Sequence, residues 1–320
     1  MQQHDQNWIA AFADMGHPEA EPLAAGMEGA VYRLGDGLVA KVWGQRTERE
    51  LHQLKAFYDS LAGRGLGFRI PRIQRVHTGE LGVCTIEEEL HGRPLEDAAP
   101  VPEGSVPGRE ILDRVLDVLA ELASIEEPGQ ITRLPVLDEV APFRPEGADW
   151  AESLIALMDR RLERFGDQLV TAIPDAEKKA HRVRELLRAW GHGREGLVHG
   201  DLITANILVE DTLRPAAVLD FGFLSTPGDP AFDVAITGSI LDMYGSQARR
   251  TEAAFDDRAA QRFGYPRELL LLYRAAYAFI TSNVYDSQGK DGHFRWCVDM
   301  LLREDVGALL EDHGAGREPR

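Results

Sequence analysis

Residues 197–209 read LVHGDLITANILV, and shortly afterwards 216–223 read AAVLDFGF. Two short aliphatic, β-branched runs flank the polar turn EDTLRP, which dictates a small antiparallel hairpin. Yet this ribbon carries His199, Asp201, Asn206 and Asp220. Carboxylates and an amide cost free energy in a core unless something satisfies them. They are therefore either hydrogen-bonded structural pieces or groups that face a cleft and hold something. A hairpin centred near residue 213 sets Asn206 and Asp220 opposite one another, within a residue or so of register, and Asp201 lies in the loop that feeds it. Hard oxygen donors gathered this way suit Mg²⁺, which completes its shell with phosphates and water.

The rest of the chain divides around this feature. GAVYRL and GLVAKVW, joined by Gly35-Asp36-Gly37, read as a hairpin. TERELHQLKAFYDSLAG (47–63) has Leu51, Leu54, Phe57, Tyr58 and Leu61 at helical spacing, and strands follow near 72–77 and 81–88. A leading helix falls within 6–16. Residues 91–108, rich in Pro and Gly, read as a linker. Beyond it helices are expected at 109–124, 149–166, 175–191, 230–245, 250–263, 266–285 and 293–311. The expected architecture is α+β: a small antiparallel-sheet lobe over 1–90 and a mainly helical lobe over 91–320.

Composition narrows the partners. The 320 residues hold 53 acidic against 35 basic side chains, a formal charge of −18. That disfavours nucleic acid and anionic membranes and suits a cationic small molecule. The segment LLLLYRAAYAFI (269–280) is too short to span a bilayer and contains Arg274, so it reads as a buried helix. Cys84 and Cys297 lack metal-type spacing, and no signal peptide is indicated, which together point to a reducing, cytoplasmic setting. Monomer and homodimer are both compatible with the sequence.

A magnesium clamp beside a spare carboxylate is what phosphoryl transfer requires. Protein kinases space these groups as His199-Gly200-Asp201, Asn206 and Asp220-Phe221-Gly222 are spaced here. In that arrangement Asp201 orients the attacking hydroxyl and accepts its proton, while Asn206 and Asp220 hold the metal. Upstream, Lys41 would meet the donor's phosphates from a strand, with Glu50 on the following helix as its partner. Taken alone they would be a strand-edge lysine and a solvated acid. Gly26 and Gly29 would let a loop approach the phosphates, and Val31 would pack on the base, although an ordinary hairpin turn explains both glycines nearly as well. In IEEEL (86–90), Glu88 and Leu90 would present backbone groups to the base, whereas the acidic side chains themselves read as a solvated edge.

With these parts in place, the chain resembles the aminoglycoside phosphotransferase family, small-molecule kinases with a protein-kinase-like two-lobed fold. The resemblance covers about residues 20–300 and is carried by GAVYRLGDGLVAKVW, REL, LHGRPL, LVHGDLITANILV, VLDFGF and GDPAFDVA. It implies ATP or GTP as donor, Mg²⁺ as cofactor and a small-molecule hydroxyl as acceptor. It also implies that Asp233 braces the catalytic-loop backbone and that His199 orients that loop. Gly200 stands where regulated protein kinases carry an arginine, and no long activation segment follows Asp220, which favours a small, unregulated acceptor reaction.

Several acceptors remain open. An aminoglycoside or other cationic antibiotic would need carboxylates from the helical lobe, for which Asp242, Asp286 and Asp291 are candidates. Macrolide, cyclic-peptide and nucleoside antibiotics, and choline-, homoserine- or sugar-like metabolites, are the alternatives. A nucleotide-binding pseudoenzyme would be expected to have lost Lys41, Asp201 or Asp220, and a protein kinase to carry the missing activation segment.

Overall fold

The computed structural model describes residues 2–26, 29–191 and 193–311, which form two compact units. The first comprises residues 1–93, 130–134 and 208–219, and the second residues 94–129, 135–207 and 220–320.

The first unit is built on a five-stranded antiparallel sheet of β1 (Glu21–Gly26), β2 (Gly29–Gly35), β3 (Leu38–Trp43), β4 (Ile73–Gly79) and β5 (Gly82–Glu88), in the order β1-β2-β3-β5-β4. Asp36 and Gly37 take positive φ, as a tight hairpin between β2 and β3 demands. The period-2 rule then sends Tyr32, Leu34, Ala40, Val42, Cys84 and Ile86 to one face, where Trp8 and Phe12 of helix α1 (Gln2–Asp14) cover them. The Trp8 and Phe12 rings lie 5.5 Å apart, and Phe12 meets Tyr32 at 5.3 Å. Lys41 belongs to the opposite face, cross-strand from Val31 and Thr85. Helix α2 (Glu48–Leu61) buries the apolar residues its spacing selects, Leu51, Leu54, Phe57, Tyr58 and Leu61. Two excursions of the chain complete this unit. Thr132 N–H donates to Ser60 Oγ at 3.1 Å, and the Ala216–Val218 stretch exchanges backbone hydrogen bonds of 2.8 and 2.9 Å with Arg69.

The second unit is helical. Its centre is α9 (Arg267–Thr281), buried at every residue from Leu269 onward, with α5 (Trp150–Ala172), α7 (Pro230–Ile240) and α10 (Gly292–Leu302) packed against it. Arg274 is fully buried but bidentate to Asp256, at 2.8 and 2.6 Å, and donates to the Ala235 carbonyl at 2.9 Å. A buried charge persists only with such compensation. Strand β7 (Gly196–Val198) pairs antiparallel with β10 (Thr226–Gly228), and this ribbon fixes both ends of the loops between them.

Several expected helices end elsewhere: the one read within 6–16 spans Gln2–Asp14, the one over 149–166 runs on to Ala172, and the one over 266–285 stops at Thr281. The helix read over 230–245 stops at Ile240, and residues 241–245 form a turn in which Asp242 accepts from Gln247 N–H at 3.1 Å. The helix read over 293–311 breaks into α10 and α11 (Glu304–Leu310) at Arg303, whose backbone is extended. The Arg303 guanidinium holds the buried Glu252 carboxylate at 2.7 and 2.9 Å and also grips Asp305, and this anchor outweighs continued helix.

Candidate active site

The loop between β7 and β8 (Ile207–Val209) is held by side-chain hydrogen bonds to its backbone. Asp233, one turn into α7 and 2% exposed, accepts from His199 N–H at 2.8 Å and Gly200 N–H at 2.9 Å. Burial pushes its carboxyl up to about 6, against the opposing pull of those two donors. Helix α7 is set in place by its own N-terminus, where Asp229 caps Ala231 N–H at 2.9 Å and accepts from Tyr273 at 2.6 Å, with Pro230 at the first turn.

His199 is fully buried, and its ring lies 4.5 Å from that of Phe221. Its Nδ1 accepts from Asp201 N–H at 3.3 Å, so that nitrogen carries no proton in this arrangement. Asn206 Nδ2 donates to the Asp201 carbonyl at 3.1 Å. The amide is thereby oriented, with Nδ2 turned back to the loop and Oδ1 as its remaining donor atom for a cation. Ser225, fully buried, ties the two segments together: it accepts from Gly222 N–H at 2.9 Å and donates to the His199 carbonyl at 2.7 Å. Asp220 sits in the left-handed region at φ 54°, a conformation rare for a residue with a side chain. Gly200 has φ 80°, and a Cβ there would stand 2.4 Å from Leu224 Cβ. A side chain at this position would have to displace Leu224.

The second unit thus ties His199, Asp201, Asn206 and Asp233 into one hydrogen-bonded loop, and Ser225 joins that loop to Gly222, two residues after Asp220. Among the described residues no group of three or more His, Cys, Asp or Glu forms a metal-ligating cluster. Asn206 Oδ1 and the Asp220 carboxylate are hard oxygen donors of the kind Mg²⁺ takes, an ion that keeps much of its shell for phosphate and water.

The expected donor-binding residues lie in the first unit. Lys41 Nζ stands 4.1 Å over the Trp43 ring, and Trp43 Nε1–H donates to Thr85 Oγ1 at 3.0 Å. Thr85 in turn donates to Glu87, a buried acid on the same sheet face. Glu50 is the third residue of α2, and its carboxylate accepts from Thr47 N–H and Oγ1, both at 2.7 Å, while Thr47 Oγ1 receives Glu50 N–H. This capping box holds the Glu50 carboxyl below its ordinary range. Gly29 takes φ 151°, and a Cβ there would meet Val42 O at 1.8 Å, so close strand approach alone requires glycine. Gly26 ends β1, and the Met27–Glu28 part of the expected phosphate loop lies outside the described residues. Val31 is half-buried beside Lys41. Glu88 ends β5, its N–H donating to Arg72 O at 3.2 Å and its carboxylate accepting from Arg69 and Arg72, while Leu90 follows in irregular backbone.

The three candidate acceptor carboxylates each cap a turn of their own. Asp286 accepts from Gln288 N–H at 2.8 Å and Lys290 N–H at 3.1 Å; Asp291 caps α10 through Phe294 N–H at 2.7 Å; Asp242 is bonded as described above. Sequence reasoning missed Ser225, since a lone hydroxyl in Leu224-Ser225-Thr226 carries no pattern. It also missed the Trp43–Thr85–Glu87 chain, although alternation along β5 puts Thr85 and Glu87 on one face.

Comparison with known proteins agrees with this architecture. The chain is similar in fold to the aminoglycoside phosphotransferase APH(3'')-Id from Streptomyces rimosus, solved in complex with ADP and streptomycin, at 18% identity and a TM-score of 0.55, over 86% of this chain and 97% of that one. It is similar to wild-type aminoglycoside 2'-phosphotransferase-IIIa, solved with GDP, at 17% identity and 0.55, over 94% and 95% of the two chains. It is likewise similar to the macrolide 2'-phosphotransferase MphH from Brachybacterium faecium, at 18% identity and 0.56, over 93% and 98%. These likenesses establish the kinase-like fold. No curated protein matches the sequence significantly. No helix among the described residues is long and apolar enough to cross a membrane. The phosphotransferase enzyme family model matches residues 19–271, and the chain belongs to that family of small-molecule kinases.

Proposed function

We propose that this protein transfers the γ-phosphate of ATP or GTP, with Mg²⁺, to a hydroxyl of a small-molecule antibiotic. The observation that carries the reading is the bracing of the Asp201 loop, by Asp233 on two amides, by Asn206 on the Asp201 carbonyl and by His199 on the Asp201 amide. Such preorganisation is what a positioned general base requires. In this reading Asp201 orients the acceptor hydroxyl and takes its proton. Asn206 and Asp220 hold Mg²⁺, which would neutralise charge on the β- and γ-phosphates. Lys41 meets the phosphates, Glu88 and Leu90 offer backbone groups to the base, and Gly26, Gly29 and Val31 approach the nucleotide from β1 and β2. The antibiotic acceptor is supported by the streptomycin bound to the Streptomyces rimosus relative and by the macrolide phosphotransferase of like fold.

The test is acceptor-stimulated ADP or GDP release across aminoglycoside, macrolide, cyclic-peptide and nucleoside antibiotics and simple amino alcohols. Turnover on one antibiotic class is expected, with kcat reduced about 10³-fold in Asp201→Ala. Turnover confined to amino alcohols would replace the antibiotic with a metabolite. Equal turnover by Asp201→Ala and the unmodified protein would remove Asp201 from the chemistry.

A further inference from the structure

An aromatic cluster in the second unit begins next to the Asp220-Phe221-Gly222 turn. Phe223 follows Asp220-Phe221-Gly222 directly, and its ring stacks on Tyr285 at 6.2 Å with an interplanar angle of 14°. Tyr285 meets His293 edge-on at 5.2 Å, and the Tyr244 hydroxyl lies 3.4 Å from His293 Nδ1. Tyr244 and Tyr285 are 66% and 55% exposed, so two open phenol rings converge on one buried histidine. Exposed aromatic surface beside a reaction centre is ordinarily there for a ligand.

Charge on this face is poorly arranged for a polycation. Both Asp286 oxygens accept from backbone amides, and Asp291 Oδ2 is sealed from solvent without a hydrogen-bond partner. A molecule with many ammonium groups needs several open carboxylates. What is on offer instead is ring surface, which favours offset stacking and loses little side-chain freedom on binding.

We infer that Tyr285 and Tyr244, backed by Phe223 and His293, form an acceptor-binding wall for a flat, largely apolar ring carried next to the hydroxyl-bearing part of the acceptor. This rests on the kinase reading above and narrows its acceptor.

The experiment uses the full chain loaded with Mg²⁺ and a non-hydrolysable ATP analogue. Phenyl β-D-glucoside, methyl β-D-glucoside and kanamycin are compared as ligands by saturation-transfer NMR and titration. Phenyl glucoside is expected to bind at least tenfold more tightly than methyl glucoside. Tyr285→Ala and Tyr244→Ala should remove that preference, Tyr285→Phe should retain it, and affinity for the ATP analogue should stay unchanged in all three. Equal affinity for the two glucosides, binding of neither, or kanamycin binding unaffected by the tyrosine substitutions would each overturn the wall. Failure of the ATP analogue to bind, with the phenyl preference intact, would instead overturn the kinase reading and leave the wall standing.

Discussion

Asp233 accepts from two consecutive amides, His199 and Gly200, while almost wholly removed from water. Truncating it strands two buried donors, each costing about 1–3 kcal/mol when unmet. Asp233→Ala should therefore lower unfolding free energy by about 2–6 kcal/mol in a urea titration and abolish turnover. Ser225→Ala is milder. It removes one acceptor for Gly222 N–H and one donor to the His199 carbonyl, for a loss of about 1–2 kcal/mol. Its kcat should fall more than its nucleotide affinity, since the hydroxyl joins the Asp201 and Asp220 loops rather than a ligand; a pure loss of nucleotide affinity would refute that role. The two residues also mark what was legible at this scale. Asp201, Asn206 and Asp220 stand out because their spacing is local and their chemistry shared. Ser225 works through two backbone groups, and nothing in a sequence distinguishes such a hydroxyl from any loop serine. Glu50 shows a third case: Thr47-x-x-Glu50 is a helix-start signature, and the capping bonds it predicts are present alongside any role at the phosphates.

Helices and strands were readable where burial follows a period and obscure where a tertiary contact decides. Helix α2 displays Leu51, Leu54, Phe57, Tyr58 and Leu61 on one stripe, and the hairpin turn at Asp36-Gly37 announces itself. Strand β1 is exposed along its whole length, so it lacks alternation, and Arg303 breaks a helix through the distant Glu252. The contact of α9 with α10 is another such case, and it leads to a pH prediction. His293 donates to or accepts from Thr281 Oγ1 at 2.9 Å, and Cys297 and the rings of Tyr277, Tyr285 and Trp296 surround it. Burial pushes its imidazole down to about 4, while Asp291 pulls the other way. A histidine depressed in the fold supplies stability above its unfolded pKa of about 6.5, and that stability drains away as pH falls toward the folded value. Acidification from pH 7 to 4.5 should thus weaken the α9–α10 contact by about 2–3 kcal/mol. Thermal melts should show this acid-sensitive component shrinking in His293→Gln, and an unchanged pH dependence in that variant would assign it to another group.

At the scale of the molecule, the proposed cofactor becomes a stability measurement. A ligand that binds only the folded chain raises its stability by about 2.7 kcal/mol at a hundredfold excess over Kd. For a chain of 320 residues that corresponds to a rise in Tm of roughly 4 °C. Mg-ATP should produce this shift, and EDTA should remove most of it, because the nucleotide would lose the cation that offsets its charge against a chain of net charge −18. Asp220 and Asp201 should then separate cleanly. On the proposed reading Asp220→Ala takes away a metal ligand, so ATP should give the same small shift with and without Mg²⁺. Asp201→Ala should leave the Mg-ATP shift within about 1 °C of the unmodified protein, since the proposed role of its carboxylate is at the acceptor hydroxyl. Its backbone amide and carbonyl, which His199 and Asn206 hold, survive the substitution and keep the loop in place. Equal loss of the Mg-dependent shift in both variants would show that Asp201 also serves the metal, and the assignment of a separate base would fail.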